Sequence, residues 1–405
     1  MKAGWKKESL GDLCEFQRGL TYAKSDEVDV SDNVVLRATN VDLTTNLLDF
    51  SDLKYLNKSV IVPESKKVKK GSLIICTASG SKSHLGKVAY IDDDYGYAFG
   101  GFMGMISPRT ELVPKYLFHL MTSDAYKHFI EDLADGMNIN NLKFDDLREF
   151  PVPYPTTDEQ WRIVGILDKA FDGIAAAKAN AEENIQNARS LFDSRVQLLF
   201  TQSGEGWVEK PLGELAKFRN GINYTKNSNG ERVKIVGVRN FQNHFLAPLD
   251  DLDTVTIDGE LRELEMLRRD DILAVRSNGN IELIGRCILV GEVTERISYS
   301  GFTIRIRLTN GRVLPKYVCH FMKSFGARKL LTEGGTGTNI KSLNQGMLSA
   351  LVIPFPPINA QKILVEKIDS LSSETRRLAH LYERKLAALE ALKKSMLHQA
   401  FTGNP

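Results

Sequence analysis

The sequence predicts an α+β protein made of a duplicated α/β module, each copy followed by one long helix, with the two helices pairing as a coiled coil. Three observations predict it. Pro153 and Pro354, Gln160 and Gln361, Asp168 and Asp369, and Phe200 and Phe401 stand 201 residues apart, which marks a tandem repeat. Apolar residues between Glu159 and Phe200, and again between Gln361 and Phe401, recur in steps of three and four, the signature of a helical seam. Each stretch follows a proline-broken strand, Val152-Pro153-Tyr154-Pro155 or Ile353-Pro354-Phe355-Pro356, and each ends in Phe-Thr.

The first seam runs through Ile163, Leu167, Ile174, Ala181, Val196 and Leu199, and the second through Leu364, Ile368, Leu371, Leu378, Leu389 and Leu392. From Asp158 to Phe200 such a helix extends about 65 Å. Alone in water it would be marginal, so it needs a partner for its apolar side, and the nearest is the other copy in the same chain.

Composition narrows the class without choosing a function. With 405 residues, 42% hydrophobic and 26% charged, the chain reads as a globular protein of two or more domains. No apolar run reaches membrane-spanning length, and Met1-Lys2-Ala3-Gly4-Trp5 is not followed by a signal-like apolar segment, so a cytoplasmic location is expected. The net charge of +2 argues neither for nor against nucleic acid. Cys14, Cys76, Cys287 and Cys319 are far apart and lack C-x-x-C spacing, so they read as buried apolar residues rather than as disulfides or zinc ligands.

Within each module the cues recur in order. Trp5 to Leu13 and Phe16-Gln17-Arg18-Gly19 are answered by Trp207 to Leu215 and Phe218-Arg219-Asn220-Gly221. Short β-rich runs follow at Val34 to Arg37, Ser72 to Cys76 and Lys87 to Ile91, with counterparts at Ile235 to Arg239, Asp271 to Val275 and Arg286 to Val290. Polar loops, Ser79 to His84 and Arg276 to Asn280, separate the second and third runs, and each ends near Gly86-Lys87 or Gly285-Arg286. A turn accounts for the glycine; a phosphate contact or a solvated surface cation accounts for the charge.

Pro114 to His119 and Pro315 to His320 then read as helices with proline in the first turn, where its missing N–H costs nothing. His119 and His320 fit a buried structural hydrogen bond better than catalysis. Polar loops follow, Asp135 to Lys143 and Gly334 to Lys341, suited either to approaching a polyanion or to connecting elements flexibly. The halves differ most in these loops, as two related readers of different targets would.

No catalytic set emerges. Gly80 to Gly86 misses the phosphate-loop spacing, Pro356-Pro357-Ile358-Asn359 has the wrong order for an amino-methyltransferase motif, and Pro63-Glu64-Ser65-Lys66 has only half of a nuclease pattern. No metal spacing or nucleophile elbow is present. If chemistry is involved, another chain is expected to perform it.

Pro153-Tyr154-Pro155, Glu159-Gln160, Pro354-Phe355-Pro356-Pro357, Gln361, Ala400-Phe401-Thr402-Gly403 and the Trp5 to Gly19 pattern together resemble the specificity subunit of type I restriction-modification enzymes. The likeness spans the chain, although Ala360 stands where that family usually has glutamate. It implies two target-recognition domains, residues 1–155 and 204–356, separated by two long antiparallel helices, 156–203 and 357–405, that form a coiled coil with pseudo-twofold symmetry.

It further implies a non-catalytic DNA-binding subunit that reads a bipartite double-stranded site and docks two methyltransferase subunits, and it leaves open whether restriction subunits join them. Cofactors are expected to be none, with S-adenosylmethionine carried by the methyltransferase. Base-reading candidates are Ser79, Ser81, Lys82, Ser83 and His84; Asn138, Asn140, Asn141 and Lys143; Arg276, Ser277, Asn278 and Asn280; and Thr336, Thr338, Asn339 and Lys341. Arg18, Lys87, Arg219 and Arg286 are the phosphate candidates. The rival readings are a structural tether whose modules bind protein, and a self-sufficient nuclease for which no site is visible.

Overall fold

The structure, a computed structural model, describes residues 4–80, 84–135, 141–201, 204–241, 244–333 and 342–402. The chain divides into two compact units, residues 1–181 with 383–405, and residues 182–382. Each unit therefore takes part of both long helices, Thr157–Thr201 and Ile358–Thr402.

In the first unit a four-stranded antiparallel sheet runs in the order Cys14–Arg18, Met103–Pro108, Leu73–Cys76, Val88–Tyr90. Period-two alternation explains how Leu73–Cys76 serves two cores. Leu73 and Ile75 face a core shared with helix Pro114–Leu120, while Ile74 and Cys76 face a second core with Leu36, Ala89 and Phe99. Because both faces are covered, the strand reads as an unbroken apolar run. A smaller sheet orders Glu27–Val28, Lys54–Leu56, Asn33–Leu36 and Ala98–Phe99.

The second unit repeats the plan with Ala216–Asn220, Thr303–Leu308, Ile272–Val275 and Cys287–Leu289. Here Ile272 and Ala274 face one core, and Leu273 and Val275 the other. All four cysteines are free and buried, as expected of small apolar residues. The strand expected over Ile235 to Arg239 is displaced: it spans Arg232–Val236, and Val238–Phe241 is a 3-10 turn. Gly237 interrupts the apolar run, and its N–H is captured by the Asn240 side chain, which closes the turn.

Each proline-broken segment is one strand of a two-stranded antiparallel pair, Pro151–Tyr154 with Lys6–Ser9 and Val352–Phe355 with Val208–Pro211. Proline is tolerated there because an edge strand leaves one row of N–H positions unused. Two glycine pairs have matching physical causes. Gly19 and Gly221 end the first sheet strand, and a Cβ there would come within 2.0 Å of the Gly100 carbonyl oxygen or 2.2 Å of that of Ser300. Gly86 and Gly285 have φ of +73° and +74°, the left-handed turn that their sequence positions suggest.

The long helices pack antiparallel within each unit. In the first, Ile163, Val164 and Leu167 share a core with Leu397, Ala400 and Phe401, and farther along Lys178 pairs with Glu390. In the second, Val196 and Phe200 share a core with Leu364, Val365 and Ile368. The expected seam residues are buried or half-buried with one exception. Leu392 is 48% exposed, and the neighbouring Lys393 turns inward instead, its ammonium 5.1 Å from the centre of the Phe171 ring. A lysine can do this because its methylene stem covers apolar surface while the ammonium meets an aromatic face.

Two latches fix each helix start to its module. Gln160, fully buried, accepts from the Val113 N–H at 2.7 Å and donates to the carbonyls of Glu111 at 2.9 Å and Pro155 at 3.0 Å. Gln361 does the same with the Leu314 N–H and the carbonyls of Arg312 and Pro356. Beside each, a carboxylate on the long helix bridges a lysine and a histidine from the short one: Asp168 meets Lys115 and His119, and Asp369 meets Lys316 and His320. The histidines are thus structural, as their sequence positions suggest.

The latch around His320 carries a pH dependence. Burial pushes its imidazole down to about 4, against the opposing pull of Asp369, so it stays neutral in the folded unit while the unfolded chain protonates near 6.5. Stability from this group is therefore complete above pH 6.5 and is lost as pH falls towards 4, by about 3 kcal/mol. Urea denaturation at the two pH values should show this difference shrinking in a His320→Gln variant; an equal acid sensitivity in both proteins would refute it.

Candidate nucleic-acid interface

The described ends of the loops named by the sequence converge because backbone hydrogen bonds tie them to one end of the sheet. In the first unit the Phe102 carbonyl accepts from the N–H groups of Thr77 and Ala78, at 2.9 and 3.1 Å, and from the Thr77 hydroxyl at 3.0 Å. The Leu142 N–H donates to the Thr77 carbonyl at 2.7 Å, and Ala78 bridges to Asn141. Gly19 donates to the Met103 carbonyl, which brings in the end of Cys14–Arg18. Arg18, Ser79, Asn141 and Lys143 thus sit on segments gathered at one sheet end.

Arg18 lies over the Phe144 ring at 5.5 Å, which positions the guanidinium without neutralising it. His84 and Lys87 occupy the same hairpin, closed by the Gly86 N–H on the Cys76 carbonyl. Lys87 turns inward: its ammonium donates to the Val41 carbonyl at 3.1 Å, and burial pushes it down to about 8. Ser81, Lys82, Ser83, Asn138 and Asn140 lie outside the described residues.

The second unit gathers the equivalent segments. The Phe302 carbonyl accepts from Arg276 and Ser277, and the Leu343 N–H donates to the Arg276 carbonyl at 2.8 Å. Arg276 is half-buried, and its guanidinium makes no hydrogen bond, ion pair or ring contact among the described residues. The Asn278 side-chain oxygen accepts from the Asn280 N–H, and the Asn280 oxygen caps the short helix Ile281–Leu283 through the Glu282 N–H. These two asparagines therefore shape the loop with their oxygens. Arg286 donates to the Glu282 carbonyl at 3.1 Å. Thr336, Thr338, Asn339 and Lys341 lie outside the described residues.

Arg219 is not the counterpart of Arg18. The repeat register places Asn220 opposite Arg18, and strand alternation sends Arg219 to the other face, where it stands 3.4 Å from Glu265. Arg262 also binds Glu265 and holds its carboxyl below the usual range. These residues line an open groove of about 640 Å³ with Asn220, Gly221 and Asn223.

Where the first unit has Arg18 over Phe144, the second has the Gln345 amide donating to Asn220 at 3.0 Å. Sequence reasoning singled out neither Gln345 nor Thr77. Both could have been found by carrying the repeat register through the insertions, since Gln345 falls opposite Phe144 and Thr77 opposite Arg276. The result is one scaffold with two different sets of donors, acceptors and cations, able to hydrogen-bond base edges and to neutralise phosphates.

Comparison with known proteins gives a consistent result. The family described as type I restriction modification DNA specificity domain matches residues 2–187 and again 204–384. The specificity subunit of the StySPI type I restriction enzyme of Salmonella potsdam is 25% identical, over 99% of this chain and 89% of its own length. That of the EcoKI enzyme of Escherichia coli K12 is 26% identical over the same shares. Among solved structures, a chain from work on complex assembly and conformational transition of the type I R-M system superposes with a TM-score of 0.81 at 17% identity, covering 100% of this chain and 99% of its own. The HsdS subunit of Thermoanaerobacter tengcongensis gives 0.62, also at 17%, covering 100% and 98%.

Proposed function

This chain belongs to the type I restriction-modification DNA specificity family, with two copies of its domain, and on that premise we propose how it reads DNA and what it leaves to others. Residues 1–155 and 204–356 act as the two target-recognition domains of a bipartite duplex site, each reading one half. The observation that carries this is the convergence of equivalent segments on one sheet end in both copies, with Arg18 and Phe144 replaced by Asn220 and Gln345.

Base reading falls to the side chains on those segments: Ser79, His84, Asn141 and Lys143 in the first copy, and Arg276, Ser277, Asn278 and Asn280 in the second. The neighbouring candidates Ser81, Lys82, Ser83, Asn138, Asn140, Thr336, Thr338, Asn339 and Lys341 belong to the same loops in sequence. An arginine or lysine pairs with guanine and an asparagine with adenine, each good pair contributing about 1–3 kcal/mol of discrimination. Arg18 neutralises a phosphate, and Arg219 does so only by exchanging Glu265 for DNA. Lys87 and Arg286 do so only by exchanging their present carbonyl partners for DNA.

The chain does no chemistry itself. It delivers two methyltransferase subunits, which carry S-adenosylmethionine, to a base in each half-site, in the cytoplasm. The paired helices 156–203 and 357–405 serve as the docking and spacing element. Mapping methylated bases across DNA from cells with and without this gene product tests the reading: a split motif should vanish on deletion. Exchanging residues 204–356 for those of a relative should change only one half of the motif. A methylation pattern indifferent to both manipulations would reject it in favour of a protein-binding tether.

Arg18→Ala should weaken binding to all duplexes alike and lower the slope of log affinity against log salt by about 0.9. A change in preferred sequence at constant slope would assign Arg18 to a base instead.

A further inference from the structure

We propose that Phe102 and Phe302 contact the apolar surface of a base directly, one in each half of the split site; this rests on the function proposed above. Both rings project from the turn that precedes the long middle strand of the sheet, and they are 73% and 61% exposed. A single exposed phenylalanine is ordinary in a folded protein. The same ring at the same turn in two copies, beside loops that otherwise diverge, is not accounted for by packing.

The backbone around each ring is pinned on both sides. At Phe102, the carbonyl receives the three bonds from Thr77 and Ala78, the Gly100 N–H donates to the Leu36 carbonyl at 2.9 Å, and the Met103 N–H donates to the Gly100 carbonyl at 2.8 Å. At Phe302, the carbonyl receives Arg276 and Ser277, its own N–H meets the Ser300 hydroxyl, and the Gly301 N–H donates to the Ile222 carbonyl at 2.7 Å. The rings are therefore held at a fixed place next to the reader loops: Thr77 leads into Ser79, and Arg276 is itself bonded to the turn.

A phenyl ring offers phosphate nothing, since it has no donor. Against a base it has two uses, packing on the 5-methyl of thymine in the major groove or stacking on an exposed base face. Both exclude water from apolar surface, so the contribution is insensitive to salt. That separates these residues from the arginines around them.

The test uses the full chain assembled with its methyltransferase partners, as wild type, F102A, F302A, F102Y and F302Y. F102A should weaken methylation and binding about tenfold or more through one half of the motif, and F302A through the other, with the salt slope unchanged. The tyrosine variants, which keep the ring, should behave as wild type. Thymine-to-uracil replacement along the site then separates the two uses. A loss at one position that disappears in the alanine variant identifies the methyl contact, and an alanine effect that persists at every uracil position identifies stacking.

The inference is overturned if wild type reads a split motif and F102A and F302A read it equally well. It is also overturned if their loss is uniform across sequences and lowers the salt slope. A wild-type assembly that reads no split motif sinks the underlying function instead.

Discussion

Replacing Gln160 with leucine should destabilise the first unit by about 2–6 kcal/mol, more than any loop change considered above. The size follows from what stays behind. Leucine fills a similar volume but leaves the Val113 N–H and the Pro155 carbonyl unpaired where they are buried, while the part-buried Glu111 carbonyl can turn to water. Each stranded group costs about 1–3 kcal/mol. Gln361→Leu should do the same to the second unit. Calorimetry with limited proteolysis would show which unit opens first, and a variant that melts with wild type would show that the amide is dispensable. Because the latch joins the start of a long helix to its module, loss of DNA reading in that half should accompany the loss of stability.

Arg276→Ala should cost about 1–3 kcal/mol of discrimination, a factor of roughly 5 to 150, at one base pair of one half-site. Of the readers proposed for the second unit, Arg276 is the best placed. Its backbone is fixed by Phe302 and Leu343, yet its guanidinium has no protein partner among the described residues. Lysine should not restore the loss, because the planar fork that grips guanine at two points is absent from an ammonium. Motif mapping on cells carrying the variant provides the measurement. An equal decline at every position, with a shallower salt dependence, would make Arg276 a phosphate contact.

Much of this architecture was legible in the residue pattern. The repeat exposed the duplication, the seam exposed the helices, and Gly19, Gly86 and Pro114 marked constraints that backbone geometry enforces directly. The structure places Gln160 and Gln361 at the latch because a buried amide has to be satisfied, and both had stood out only as matching letters. The interface was harder to read. Arg18 and Arg219 both read as phosphate candidates from residue type alone, yet they stand one register apart, and strand alternation sends Arg219 to the other face, beside Glu265. Lys87 reads as a surface cation, but its ammonium satisfies a carbonyl contributed from Val41. Which loop residues share a surface depends on hydrogen bonds between segments far apart in sequence, and periodicity carries no information about those. Leu392 failed for a smaller reason, since a drifting seam let Lys393 take its inward place.

The first unit's core is completed by Leu397, Ala400 and Phe401, the last of which meets Tyr116 edge-on at 5.2 Å. A ribosome making this chain therefore emits most of that unit long before it emits the side chains that close it. Until the final turns of helix emerge, the nascent polypeptide holds an open apolar cleft where Phe401 belongs. Premature termination upstream of Leu397 would leave the opening domain, though fully translated, without its lid and exposed to chaperones and proteases.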